Sequence, residues 1–245
     1  MRKKYKTGFL LFFILVLAVS CQKDELTLPS KVYFSFEMTS YTDIDNDAAV
    51  LKNGNIYGNP PGPFSFTIDK GQMVISAIEF DGKRPQGQDV YFISDLANPI
   101  VAILHEPTMQ EEIGFDIPQG IYNRIDVSLH LGNTLYAPLK IEGVFIMPGL
   151  GEINMRFEYV FEDIITIRST GAGEDIVLRK DRPSFARVNI DTGSLFGLVN
   201  PAVLANADLI IENGQNVLVI SDKHNRPVFN QIAARMNQAF SVVFD

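Results

Sequence analysis

From Lys31 onward the chain alternates with period two. Val32, Phe34, Phe36 and Met38 stand against Lys31, Tyr33, Ser35 and Glu37, and Phe64, Phe66 and Ile68 against Ser65 and Thr67. Ile121, Ile125, Val127, Leu129 and Leu131 share one phase, opposite Tyr122, Arg124, Asp126, Ser128 and His130. Ile153, Met155, Phe157, Tyr159 and Phe161 face away from Asn154, Arg156 and Glu158. Such alternation marks strands with one buried and one wet face. Further strands are expected over 74–80, 89–94, 100–104, 139–147, 164–168, 175–179 and 186–190. Turn residues separate them, among them Asp81-Gly82, Pro118-Gln119-Gly120, Pro148-Gly149 and Gly171-Ala172-Gly173. About ten short strands at this spacing predict a mainly β chain, an antiparallel β-sandwich of transthyretin or immunoglobulin type.

The last fifty residues change period. Asn200-Pro201 suits a helix start, with Pro201 in the first helical position. Residues 217–220 predict a short strand. Val228, Phe229, Ile232, Ala233, Met236, Ala239 and Phe240 then recur at helical spacing after Asn225-Arg226-Pro227. The pattern divides the chain into a sandwich over 31–191 and a small C-terminal α/β appendix over 192–245, with one amphipathic helix and a closing apolar strand at 241–244.

Ahead of the sandwich, residues 1–6 are basic and 8–19 almost wholly apolar. A helix of about 12 residues spans roughly 18 Å, short of the ~30 Å hydrocarbon core, so a secretory signal over 1–20 fits better than a membrane span. Ala18-Val19-Ser20-Cys21 ends it, and Cys21 is the one cysteine of 245 residues. The four residues resemble a bacterial lipobox, with Val19 where Ala or Ser is usual; the resemblance implies cleavage before Cys21 and its acylation. Residues 21–30 then form a lipidated tether. Gln22-Lys23-Asp24-Glu25 looks like the short export signal of Bacteroidota-type lipoproteins, which implies an outer-membrane location facing the exterior, with the periplasmic face as the alternative.

Composition adds two exclusions. With 46% apolar and 20% charged residues the chain is an ordinary globular one. Loss of Arg2, Lys3, Lys4 and Lys6 with the signal leaves 17 cationic against 29 acidic side chains, a balance of −12 that repels phosphate backbones and disfavours nucleic acid. One cysteine permits neither an intrachain disulfide nor a thiolate metal cluster.

Residues 75–90 (ISAIEFDGKRPQGQDV) and 115–125 (FDIPQGIYNRI) resemble uncharacterised outer-membrane lipoproteins of Bacteroidota. The second segment fits the apolar-Pro-x-Gly-x-Tyr-x-x-apolar element of a related domain of unknown function, which implies a turn leading into a strand of a transthyretin-like sandwich. The residues agree with it: Pro118 pre-sets a turn, Gly120 permits positive φ, and Tyr122 is able to pin the corner through its hydroxyl. The resemblance carries no catalytic residues.

Candidate chemistry is sparse. Asp43, Asp45 and Asp47 have the spacing of the first three ligands of a calcium loop, but Ala48 replaces its turn glycine and Gly54 stands where the bidentate Glu belongs. A solvated acidic loop is the ordinary reading; calcium is the sole cofactor candidate. Tyr41 and Tyr57 flank that loop and are the best-placed rings for a contact surface. His105, His130 and His224 fall on turns or a wet strand face, and neither H-E-x-x-H nor G-x-S-x-G occurs. The expectation is a non-enzymatic, monomeric binding or interaction module, anchored in the membrane through Cys21, with a glycan or protein partner. The alternatives are a fimbrillin-like subunit that assembles by strand addition and a surface glycan-processing enzyme using Glu111 and Glu112, or Glu158 with Glu162 and Asp163.

Overall fold

A computed structural model describes residues 25–44, 50–52, 55–57, 65–105, 113–132, 137–147, 149–169 and 175–245. A 3₁₀ turn at Glu25–Thr27 leads into β1 (Pro29–Met38), β2 (Tyr41–Ile44), β3 (Val50–Lys52) and β4 (Asn55–Tyr57). The long β5 (Ser65–Lys83) and β6 (Val90–Ile103) follow, then β7 (Gly114–Pro118), β8 (Gly120–Tyr122) and β9 (Arg124–Leu131). The central hairpin is β10 (Leu139–Met147) and β11 (Gly151–Tyr159); β12 (Asp163–Arg168), β13 (Ile176–Leu178) and β14 (Ser184–Ile190) come next. The end of the chain holds α1 (Thr192–Phe196), α2 (Pro201–Leu204), β15 (Ile210–Glu212), β16 (Gln215–Ile220), α3 (Arg226–Ala233), α4 (Met236–Ala239) and β17 (Phe240–Phe244). The chain is mainly β with a small helical part, as its alternation predicts.

Two sheets carry the fold. One has the order β17-β14-β1-β7; the other runs β12-β9-β5-β10-β11-β16-β15, with β2 and β6 also paired to β5. Most neighbours are antiparallel, but β1–β14 and β11–β16 are parallel, so both sheets are mixed. A parallel pair requires a long crossover, and the segment from β12 to β15 supplies one between β11 and β16. The inward residues of the first sheet (Val32, Phe34, Ala186, Val188, Val242) join Ile78, Phe80, Val127, Leu129 and Ile165 of the second in one buried core. Phe92 meets Phe115 at 5.7 Å where β6 lies over β7.

The remaining inward half of the second sheet is covered by helices. Phe157 of β11 packs edge-on to Phe196 of α1 at 5.9 Å and stacks on Phe229 of α3 at 5.7 Å. The 192–245 segment therefore shares the core of 31–191 and supplies edge strands to both sheets, since β17 pairs with β14 and β16 with β11. The expected single helix is interrupted at Arg235, giving α3 and α4. Asn200 caps α2 with Pro201 in its first turn, as the Asn-Pro pair predicts.

Strand β5 is one element where two were expected. Its inward residues are Phe66, Ile68, Gly71, Met73, Ile75, Ile78 and Phe80, and the two steps of three are bulges. Asp69 is the extra residue against Glu142/Gly143, and Ser76 the extra one against His130/Leu131. Segments 89–94 and 100–104 likewise belong to one strand, β6; residues 96–99 form an excursion opposite Ser76.

Phase also differs at two places. Tyr122, expected on the wet face, is fully buried, and Ile121 is 47% exposed. The chain breaks phase at Asn123, whose N–H donates to the Lys83 carbonyl at 3.0 Å. Tyr122 turns inward against Phe80 (5.8 Å, edge-on), and its hydroxyl donates to the Pro118 carbonyl at 2.5 Å, pinning the corner. Phe161 lies beyond the end of β11 and is 46% exposed rather than in the core row.

Gly120, at φ +150°, has a backbone that L side chains rarely adopt. A Cβ there costs on the order of 1 kcal/mol or more. Gly120→Val is expected to lower the melting temperature by roughly 2–4 °C; an unchanged midpoint in a thermal melt would refute the assignment.

Candidate functional site

Cys21, Asp45, Asp47, Glu111 and Glu112 lie outside the described residues. Asp43 is in β2, opposite Phe66, and Tyr57 is in β4, opposite Val50. Among the described residues no group of three or more His, Cys, Asp or Glu side chains is placed to hold a metal ion.

Tyr41 is half-buried against Phe66, with ring centroids 5.7 Å apart. It lines a cleft of about 480 Å³ with Thr39, Ser40, Asn189, Asp191, Gln238 and Ser241. The cleft arises where three connections meet: the β1–β2 corner, the turn from β14 into α1, and the junction of α4 with β17. Asp191 caps α1. Its carboxylate accepts from the Ser194 hydroxyl (2.7 Å) and the Ser194 N–H (3.2 Å), and these bonds hold its pKa below the ordinary carboxylate value. The Thr39 hydroxyl donates to the Ile190 carbonyl and accepts from the Thr192 N–H, while the Thr192 hydroxyl donates to the Thr39 carbonyl. These bonds fix the walls.

Other groups in the cleft are left over. Ser40, Asn189, Gln238 and Ser241 make no side-chain hydrogen bond with the described residues, and Asn189 and Ser241 are direct cross-strand partners. Amides and hydroxyls both donate and accept. Beside an aromatic ring, with the nearest carboxylate already engaged, such groups suit a neutral ligand rich in hydrogen-bonding groups.

Two further clefts lie on the outer face of the large sheet. The first, about 340 Å³, follows from the Asp69 bulge and is bordered by Lys70, Glu142, Asn154, Arg156 and Glu212. Arg156 donates Nη1 and Nη2 to the two carboxylate oxygens of Glu212 (2.9 and 2.7 Å) and Nε to Glu158 (2.6 Å). The Glu212 bond raises the Arg156 pKa further, and Glu212 is lowered in return. This fork ties the β15–β16 hairpin to β11 and engages three of the guanidinium's five N–H donors.

The second, about 530 Å³, is lined by Ser76, His130, Glu162 and Asp163. His130 Nε2 lies 2.6 Å from Glu79, and the Tyr159 hydroxyl donates to Asp163 at 2.7 Å. Glu162 and Asp163 are therefore brought together with a histidine, whereas Glu158 belongs to the Arg156 fork. The missed feature was legible only as Arg156 and Glu158 standing two apart on one wet face.

Burial pushes the Tyr122 and Tyr159 hydroxyls up to about 12. The neutral phenol is the form favoured by folding. The corresponding stability is therefore complete below pH ~10 and lost as pH rises from about 10 to 12. The denaturant midpoint is expected to fall across that window, and less steeply in Tyr122→Phe; equal slopes would contradict the assignment.

No family model, curated protein or solved structure matches the chain.

Proposed function

We propose that this chain is a lipid-anchored, non-catalytic binding module of the outer membrane, held by acylated Cys21 and facing the exterior. It acts as a monomer that takes a glycan or a protein partner in the Tyr41 cleft. The observation that carries the binding role is the set of neutral groups (Ser40, Asn189, Gln238, Ser241) gathered beside Tyr41 with no side-chain hydrogen bond among the described residues. The lipobox-like Ala18-Val19-Ser20-Cys21 and the resemblance to Bacteroidota lipoproteins support the anchor. Pairing of β17 with β14 inside the chain favours a monomer over assembly by exchange of that strand.

The anchor is tested by Cys21→Ser. The variant is expected to leave the membrane fraction for the soluble one, because the signal is the only long apolar run and stable anchoring by acylation needs the acylated residue. Retention in the membrane would refute it. For the cleft, glycan-array binding by the wild-type protein is compared with Asn189→Ala and Gln238→Ala. Each lost hydrogen bond is expected to weaken binding by several-fold to tenfold. Binding unaffected by both substitutions moves the site elsewhere.

A further inference from the structure

We infer that the end of the molecule formed by residues 84–89, 118–121 and 177–182 rests directly on an anionic lipid leaflet. This rests on the proposed acylation of Cys21.

The tether is short and its far end is held. Arg84 Nη1 donates to the Leu26 carbonyl at 2.9 Å and to the Gln119 carbonyl at 3.3 Å, while Nε donates to Gln88 at 2.6 Å. The Gln119 N–H donates to Leu28 at 2.7 Å. The chain is thus fixed to the sandwich from Leu26 onward. Only Gln22, Lys23, Asp24 and Glu25 separate it from Cys21. Five Cα steps reach at most about 16–18 Å, so this end cannot stand far from the lipid.

The surface beside the clamp has the chemistry of an interfacial patch. Ile121 and Val177 are direct cross-strand partners, 47% and 40% exposed. Strand β13 then runs into Arg179, Lys180, Asp181 and Arg182, all exposed. Two hydrogen bonds pin this loop beside the tether: the Ser30 hydroxyl donates to the Arg179 carbonyl at 2.8 Å, and the Lys180 N–H donates to the Gln119 amide oxygen at 3.2 Å. Arg179, Lys180 and Arg182 form no ion pair among the described residues. A chain of balance −12 thus places Arg179, Lys180 and Arg182, against the single acid Asp181 of that loop, and an exposed aliphatic pair where its lipid must be. Such cations act on anionic headgroups within about a Debye length, ~8 Å, and the aliphatic pair enters the interface.

The opposite end is the β10–β11 hairpin. Ile146 pairs with Ser65, and β5 runs from there to Lys83 beside the clamp. At ~3.3 Å per residue those 19 residues extend for about 50–60 Å.

The acylated full-length protein is placed in phosphatidylglycerol/phosphatidylcholine vesicles containing a headgroup-attached quencher. A fluorophore is carried on a cysteine introduced by Gln86→Cys or, separately, by Leu150→Cys. Strong quenching is expected at 86 and little at 150. Reversing Arg179→Glu, Lys180→Glu and Arg182→Glu together, or adding 0.5 M salt, is expected to lower quenching at 86 several-fold while the protein stays vesicle-bound with an unchanged far-ultraviolet spectrum. Equal quenching at both positions, or no effect of the reversals, overturns the orientation and leaves the anchor standing. A mass spectrum showing Cys21 unmodified overturns both.

Discussion

Gly143→Ala is expected to cost about 3 kcal/mol or more, lowering the melting temperature by roughly 6–12 °C or preventing folding altogether. A Cβ on Gly143 would overlap the carbonyl oxygen of Thr67, which is backbone in the neighbouring strand and has no rotamer by which to withdraw. The close approach follows from the bulge: Asp69 is the extra residue of β5, and Gly143 crosses the register step. Relief requires β10 and β5 to separate at the centre of the nine-stranded sheet. Gly149→Ala is the control, since its Cβ meets nothing within 4 Å; its positive φ confines any loss to local strain. A Gly143→Ala protein that melts with the wild type would show that the bulge is not built this way.

A chain ending at Asp191 is expected not to fold. The truncation uncovers Phe157, 1% exposed, by removing Phe196 and Phe229 from its two sides, and strips β17 from β14. Emptying a single buried Phe position costs about 3–5 kcal/mol. Whole domains have about 5–15 kcal/mol in hand, so losing several such contacts together exceeds the reserve. Loss of a cooperative thermal transition and of near-ultraviolet dichroism checks it. A truncated chain that melts cooperatively would instead make residue 191 a true domain boundary.

The change of hydrophobic period near residue 192 is real in the structure, since helices begin there, yet it marks a change of element type rather than the edge of a core. Alternation reports which face of a strand is buried and is silent about what covers it. Phe66 therefore reads the same whether its neighbour across the core is a strand or, as here, Phe196 of a helix at 6.2 Å. The split of β5 has a similar cause. A bulge inserts one residue and shifts the phase, so inward positions at 66, 68, 71, 73, 75, 78 and 80 imitate two short strands with a loop between. Tyr122 was legible in its role, through the Pro-x-Gly-x-Tyr spacing, but not in its facing, because one residue, Asn123, resets the phase.

The Tyr41 cleft was half legible. Its aromatic member stood out beside the acidic loop, whereas Asn189, Gln238 and Ser241 come from more than 140 residues downstream and carry no local signal. Nothing in the sequence announces that β14 and α4 end, and β17 begins, near the carboxyl end of β1. The Arg156–Glu212 fork was hidden for the same reason, with its partners 56 residues apart. Side chains that meet only through tertiary pairing leave no periodic trace.

The parallel pairing of β1 with β14 bears on when the protein is able to fold. Thr39 and Ile190, at the far end of that pair, are 151 positions apart, and β14 in turn needs β17, the final strand of the chain. Contacts of such long sequence separation form slowly, because loop closure precedes the reward. On the proposed export route, amino end first, β1 reaches the new compartment long before β14, and of its two sheet partners only β7 is present in the interval. On that route this connectivity delays completion of the β17-β14-β1-β7 sheet until residues 184–244 have followed β1 through.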